Sequence, residues 1–237
     1  MKFSTGQKVT IFIILLLLID QLIKVTVKLN MTIGESIHVF GDWFQILFIE
    51  NRGMAFGMQF GTGIFGKLLL SLLRLGLIGL LIWYLRKLIK RDNAAYSMPG
   101  LEANASVSAS AAHVKGNSSE TVKPSKVPAG VLIGLALVLV GAVGNMFDSL
   151  FYGLIFSASD AVQKAVLFPI GGGYAPLLFG QVVDMFYFPI IDTVLPDWVP
   201  IWGGDNVVFF RPIFNFADSC VSVGVIYLLL FQRKFFK

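Results

Sequence analysis

The sequence predicts an α-helical membrane protein with four transmembrane helices, a small extracytoplasmic β-structure and an interfacial loop/helix region. Three observations predict it. Four apolar runs, at about 9–27, 64–85, 128–147 and 213–231, reach spanning length, since about 20 apolar residues cross a bilayer. Basic residues gather at one set of ends of those runs. Between the first two runs, over 33–60, the pattern changes to β-branched and aromatic residues. The 237-residue chain is 56% hydrophobic and only 14% charged, with a mean hydropathy of +0.76. A soluble domain of this size carries more charge and shorter apolar runs.

The distribution of charge sets the topology. Lys2 and Lys8 precede the first run, and Arg86, Lys87, Lys90 and Arg91 follow the second. Lys115, Lys123 and Lys126 precede the third, and Arg233, Lys234 and Lys237 follow the fourth. The positive-inside rule puts all of these in the cytoplasm, with both termini inside and 28–63 and 148–212 outside. The net charge of +5 is accounted for by this topology, so no nucleic-acid partner is implied. The first run has the basic start of a signal peptide but no small-residue cleavage site, and is read as a retained anchor. The whole chain, 1–237, forms one domain.

In the first span Asp20 and Lys24 lie four apart on one helical face. Near hydrocarbon neither charge is tolerated alone, so they are read as a structural ion pair. In the 33–60 region, Ile37, Val39, Trp43, Phe44, Ile46, Phe48 and Ile49 flank a Gly41-Asp42 turn signal, which predicts a hairpin on the outer membrane surface. The stretch from Asn51 through Gly53 to Gly57 reads either as a turn of small residues or as a loop meeting an extended peptide. In the second span Lys67 can snorkel outward, while Arg74 sits deeper and must face other helices or polar groups. Residues 92–127 are rich in Ala, Ser and Asn and predict a disordered cytoplasmic linker. The third span carries Gly130, Gly134, Gly141 and Gly144, spaced for close helix approach, and ends with Asn145 and Asp148 on one face. Beyond it, the 149–212 insertion predicts a short amphipathic helix at 158–167 and then a glycine- and aromatic-rich segment. That segment is interfacial and long enough to cover part of the outer end of the bundle.

Two carboxylates remain. Asp184 follows Gln181-Val182-Val183, and Asp218 closes Phe214-Asn215-Phe216-Ala217 at the start of the fourth span. Each has a plain explanation. Asp184 reads as the end of a surface strand, and Asn215 as an N-cap with Asp218 in the first helical turn. As a pair they read differently, because two carboxyls brought close together cannot both ionise easily and share a proton. Such a pair can act as base and acid on a peptide bond without metal or cofactor. Cys220, the only cysteine, excludes an internal disulfide and reads as a packing residue. His38 and His113 fall on opposite sides of the membrane and no HExxH occurs, which argues against a zinc protease. The rival reading is a small channel or transporter with the aspartates as an ion or proton site; the lack of an internal repeat weighs against it.

Taken together these stations resemble the lipoprotein signal peptidase (signal peptidase II) family. The resemblance rests on five motifs in the family's order: Asp20-Gln21-x-x-Lys24, Asn51-x-Gly53-x-Ala55-Phe56-Gly57, Gly144-Asn145-x-x-Asp148, Val182-Val183-Asp184 and Phe214-Asn215-x-Ala217-Asp218. Each is weak alone, and five in sequence are specific. The resemblance implies an aspartic endopeptidase of the bacterial inner membrane, working at the extracytoplasmic face. It would cut diacylglyceryl-modified prolipoproteins just before the modified cysteine, with substrate and membrane lipid as its partners. It puts the catalytic dyad on Asp184 and Asp218, substrate-contacting and supporting roles on Asn51, Gly53, Asn145, Asp148 and Asn215, and structural support on Asp20 and Lys24. Two departures stand out. Ser149 occupies the position where the family usually has Arg, and the runs on either side of Asp184 are longer than the family pattern.

Overall fold

A computed structural model describes residues 3–51, 64–96, 126–194, 196–198, 200, 203–209 and 211–237. The chain runs α1 (Thr5–Asn30), β1 (Ser36–Phe40), β2 (Phe44–Asn51), α2 (Ile64–Tyr96) and α3 (Ala129–Phe147). A π-helical turn (Asp148–Tyr152) and a last helical turn (Gly153–Ile155) prolong α3. Then come β3 (Val182–Tyr187), β4 (Ile191–Val194), β5 (Asn206–Phe209), β6 (Ile213–Phe214) and α4 (Phe216–Phe231). Among the described residues, three helical stretches, Thr5–Asn30, Phe65–Ala94 and Ala129–Ile155, are long and apolar enough to cross a membrane; Phe216–Phe231 is apolar but shorter.

Small residues let α3 lie close to its neighbours α4 and α1. A Cβ on Gly224 of α4 would lie 2.8 Å from the Gly134 carbonyl oxygen of α3, and one on Gly144 would lie 2.7 Å from Asp20 Oδ2. Backbone-level approach of this kind needs residues without side chains. Val9, Leu85, Val131 and Leu139 belong to one apolar core among α1, α2 and α3. A second core, containing Phe48, Tyr152, Phe156, Val183 and Met185, lies against one face of a sheet.

That sheet has the antiparallel order β1-β2-β3-β6. β1 and β2 form the hairpin that the residues around Gly41 predict, and Gly41 takes a positive φ of 51° in the turn. β3 is one of the two inner strands; it pairs with β2 through Ile49–Asp184 and Asn51–Val182, and with β6 through Phe186–Phe214. β4 and β5 pair as a separate two-stranded ribbon.

The structure corrects several boundaries. The first and second helices are longer than 9–27 and 64–85. The predicted linker is narrower than 92–127. Residues 92–96 complete α2, and Asp92, buried, accepts from Thr5 Oγ1 (2.9 Å) and from the Val127 N–H (3.2 Å). Its remainder, 97–125, lies outside the described residues. The fourth apolar run starts as strand β6 and turns helical only after Asn215. No helix forms at 158–167. The chain makes a hairpin-like excursion instead, closed by a Phe156–Leu167 bridge and a Ser157 N–H to Val166 O bond of 2.9 Å. The reason is local side-chain chemistry. The Asp160 carboxylate accepts from the N–H groups of Val162 (2.7 Å) and Gln163 (2.6 Å), and Ser157 Oγ accepts from the Val166 N–H (2.8 Å). Such bonds offer the backbone an alternative to the helix.

Candidate active site

The site is built where the sheet meets the outer-reading ends of the helices. Asn215 is the N-cap of α4: its Oδ1 accepts from the Asp218 N–H at 2.9 Å, and Asp218 Oδ2 accepts from the Asn215 N–H at 3.3 Å. This reciprocal capping box satisfies two helix-end donors and fixes the Asp218 side chain at the same time. The cap reading and the paired-carboxylate reading are therefore compatible in one geometry. The Asn215 amide also reaches across, donating to Asp184 Oδ1 (2.6 Å) and to Asn145 Oδ1 (3.1 Å). Asp184 lies within β3 rather than at its end. Its other oxygen accepts from Asn51 Nδ2 (3.2 Å), on the neighbouring strand. Asn145 Nδ2 donates to Asp218 Oδ1 at 2.7 Å, so two asparagines link the two carboxylates.

Behind them is a fully buried ion cluster. Lys24 Nζ lies 2.8 Å from Asp148 Oδ2, 3.1 Å from Asp20 Oδ2 and 2.9 Å from Asn145 Oδ1. Asp20, Lys24 and Asp148 are all 0% exposed. Asp20 Oδ1 also accepts from the Ala217 N–H (2.9 Å) at the start of α4, and Asp148 Oδ2 from the Val183 N–H (3.4 Å) beside Asp184. The structural pair expected in α1 is thus the base of a network leading to both carboxylates. Gly53 lies outside the described residues.

Burial, and then the charge of Asp218, push the Asp184 carboxyl from the usual carboxylate range up to about 7; hydrogen bonds from Asn51 and Asn215 oppose the shift. Such a group holds a proton at near-neutral pH and can release it within the working range.

Several further residues join the network. Gln21 Nε2 bridges Asp20 Oδ2 and Asp148 Oδ1, at 3.0 Å each, and its Oε1 accepts from the Tyr152 hydroxyl (3.1 Å). Lys28, one turn beyond Lys24, is ion-paired with Glu50, and its Nζ donates to Ser159 Oγ (3.0 Å) beneath the rings of Phe156 and Tyr174. The recurrence of polar residues at 20, 24 and 28 along an apolar helix is the signal that was available. Ser149 is buried and donates back to Asn145 O (3.2 Å), so its hydroxyl serves the helix. A cation near the pair comes from another helix, as Arg74 of α2 lies within electrostatic reach of both Asp218 and Asp184.

Apolar helices capped at one end by a small sheet, with a carboxylate pair at their junction, define a helical membrane protein with a site suited to proton-transfer chemistry. The signal peptidase (SPase) II family matches residues 12–103 and 121–234. The chain belongs to the signal peptidase II family. Its relatives include a lipoprotein signal peptidase of Porphyromonas gingivalis (strain ATCC 33277), 44% identical over 229 residues, which are 97% of this chain and 84% of that protein. Another, from Amoebophilus asiaticus (strain 5a2), is 32% identical over 93% of this chain and 75% of that one. A solved bacterial membrane enzyme shares the fold at a TM-score of 0.53 and 17% identity, over 97% of this chain and 94% of that one.

Proposed function

We propose that Asp184 and Asp218 are the catalytic dyad of a membrane aspartic endopeptidase. The activity itself follows from the family: the chain removes signal peptides from prolipoproteins. The proposal adds the chemistry, the cut and the setting. The cut falls just before a diacylglyceryl-modified cysteine. The site faces the extracytoplasmic side, with four spans and both termini in the cytoplasm, as the basic residues at the helix ends suggest. Residues 1–237 act as one peptidase domain.

The observation that carries the reading is the Asn215 side chain, which caps α4 at Asp218 while donating to Asp184. The pair shares one proton near neutral pH; Asp184, whose carboxyl burial raises to about 7, takes the acid role in this proposal and Asp218 the base role. Asp218 takes a proton from a water that attacks the scissile carbonyl carbon. Asp184 donates its proton toward the carbonyl oxygen, and the departing amine then takes a proton from the dyad as the C–N bond breaks. Asn51, Asn145 and Asn215 hold the two carboxylates in register. Gly53 contacts the substrate backbone, and Asp20, Lys24 and Asp148 hold the helices to the sheet. No cofactor is required, and membrane lipid is the second partner. The family assignment leaves the channel reading without support.

The test is to incubate purified protein with a lipidated precursor and map the cut by mass spectrometry. Cleavage just before the modified cysteine is expected, with none in Asp184→Asn or Asp218→Asn. A cut elsewhere, or turnover retained in either variant, overturns the reading.

A further inference from the structure

The chain between α3 and β3 doubles back beside the helix it has just left. After Ile155 it makes the outward excursion closed by the Phe156–Leu167 bridge, with Asp160, Gln163 and Lys164 at the exposed tip. It returns at Phe168, whose N–H donates to Ile155 O (2.7 Å). From there it turns outward once more, with the Gly172 N–H donating to Pro169 O (2.9 Å), and it descends only from Tyr174. Tyr174 N–H donates to Phe156 O (3.1 Å), Ala175 to Gly153 O (2.9 Å), Leu178 to Leu150 O (3.4 Å) and Gly180 to Ser149 O (2.9 Å). Over Ala175–Gly180 the acceptors step back from Gly153 to Ser149, roughly 6 Å along a helix axis at 1.5 Å per residue. Both lie inside the stretch Ala129–Ile155, which is long and apolar enough to cross a membrane. The non-helical chain therefore runs at the depth of the last turns of a span. Irregular backbone is tolerated there only when protein groups satisfy it, and the helix, opened into a π turn at Asp148–Tyr152, presents the carbonyls that do so.

What this segment turns outward is apolar. Phe168 is 71% exposed and Ile170 109%, and Phe151 and Leu154 on the span itself are exposed as well. Phe168 also holds a φ of 51°, a left-handed backbone that bulky residues rarely adopt. Gly153 lets the segment lie against the helix, since a Cβ there would sit 2.7 Å from Ala175 O. Exposed apolar residues thus occur both at the end of the helix and on the loop bonded to it, while the excursion tip exposes Asp160, Gln163 and Lys164 together with Val162.

We propose that residues 168–178 form a re-entrant loop in the membrane leaflet at this end of the span, with Phe168 and Ile170 seated among lipid acyl chains beside Phe151 and Leu154. The occupant of this surface is lipid. The loop would hold the strand carrying Asp184 at the bilayer boundary, because Gly180 is bonded to the helix only four residues before it. The inference goes beyond the peptidase reading and does not depend on which groups cut.

The sole native cysteine, Cys220, is buried, which permits site-directed labelling. Phe168→Cys and Ile170→Cys, each in a Cys220→Ala background, are labelled with a nitroxide and reconstituted in phosphatidylcholine–phosphatidylglycerol vesicles. Collision rates with oxygen and with a water-soluble nickel chelate report depth, with Leu154→Cys as the lipid reference and Lys164→Cys as the aqueous one. Oxygen-to-nickel ratios at 168 and 170 matching position 154 are expected. Ratios matching position 164 would mean that the loop stands in water. Low access to both reagents would mean that protein, or a second copy of the chain, covers it. Either result overturns the proposal. Should the variants fail to assemble, an acyl-chain diazirine lipid applied to the unmodified protein should label the peptide around 165–178. Absence of that label with labelling by a water-soluble carbene reagent sinks the idea.

Discussion

Asp20 and Asp148 are wholly buried with Lys24 between them, whereas Asp184 and Asp218 feel each other's charge across neutral asparagine amides. The two clusters share one network through Asn145, which accepts from Lys24 and donates to Asp218. They differ in what offsets the negative charge. In the first cluster a cation in direct contact does so, and the arrangement works as a fixed joint among α1, α3 and the start of α4. In the second, no lysine among the described residues touches the carboxylates; Arg74 acts from a distance, and a proton on Asp184 offsets the rest. The difference teaches how one fold separates holding from reacting: a buried carboxylate with a lysine is structure, and a buried carboxylate facing another carboxylate is a proton store.

The comparison breaks most visibly if the reacting pair is neutralised. Asp184→Asn and Asp218→Asn should each lower cleavage of a lipidated precursor on the order of 10³-fold or more, the scale of acid–base catalysis. Both variants should fold and insert. A large loss of thermal stability in detergent would instead mark Asp184 as a structural group like Asp148.

Removing the cation reverses the pattern. Lys24→Met leaves Asp20 and Asp148 buried without it and should cost about 3–5 kcal/mol of stability, read as a lowered unfolding midpoint. Asp20→Asn and Asp148→Asn added to Lys24→Met should restore part of that loss. Stability unchanged in Lys24→Met would show that the joint does not need its charge.

A pH profile sharpens the contrast further. Asp184 has its carboxyl raised to about 7 by burial and by Asp218. The proton is therefore present below that pH and lost above it, and kcat/KM should fall on an alkaline limb centred near 7. An acid limb should follow from double protonation of the pair. Stability follows the same sign. Because the folded value is raised, the contribution of this group is complete below the unfolded value of 3.8 and is lost as pH rises through about 7. The slope between those values should flatten in Asp184→Asn, and an unaltered slope would remove Asp184 as its source.

The smallest effect is expected one helical turn away. Lys28 and Glu50 form a buried pair with Ser159, and Glu50 directly precedes Asn51. Lys28→Met should cost about 1–3 kcal/mol, because Ser159 still donates to Glu50. Turnover should drop a few-fold as Asn51 loosens from Asp184. Lys28→Met combined with Glu50→Gln should recover most of both. Equal loss in single and double variants would separate this pair from the site.

How much of this was legible follows from how far each signal reaches along the chain. The sequence by itself determined the apolar spans, the Gly41 hairpin, the glycine-lined face of α3 and the Asn215–Asp218 cap. All of these arise from interactions within a few residues, where helical or strand periodicity and capping chemistry act directly. The motifs also pointed to two aspartates that the fold brings to one asparagine-linked network, because a charge beside an apolar run is costly wherever it ends up. The amphipathic helix at 158–167 was misread, since Asp160 and Ser157 captured the backbone N–H groups that a helix would have used.

Only the tertiary structure decided the rest. β2, β3 and β6 come from segments far apart in the chain, and their register sets Asp184 opposite Ile49 and Phe186 opposite Phe214. That pairing brings Asn51, Asp184 and Asn215 within hydrogen-bond reach, and no local pattern encodes it. The Lys28–Glu50 pair and the loop folded back along α3 belong to the same class. The reason is physical. A buried polar group must find a partner, but sequence specifies only that need, while packing of the helices against the sheet specifies which partner it finds.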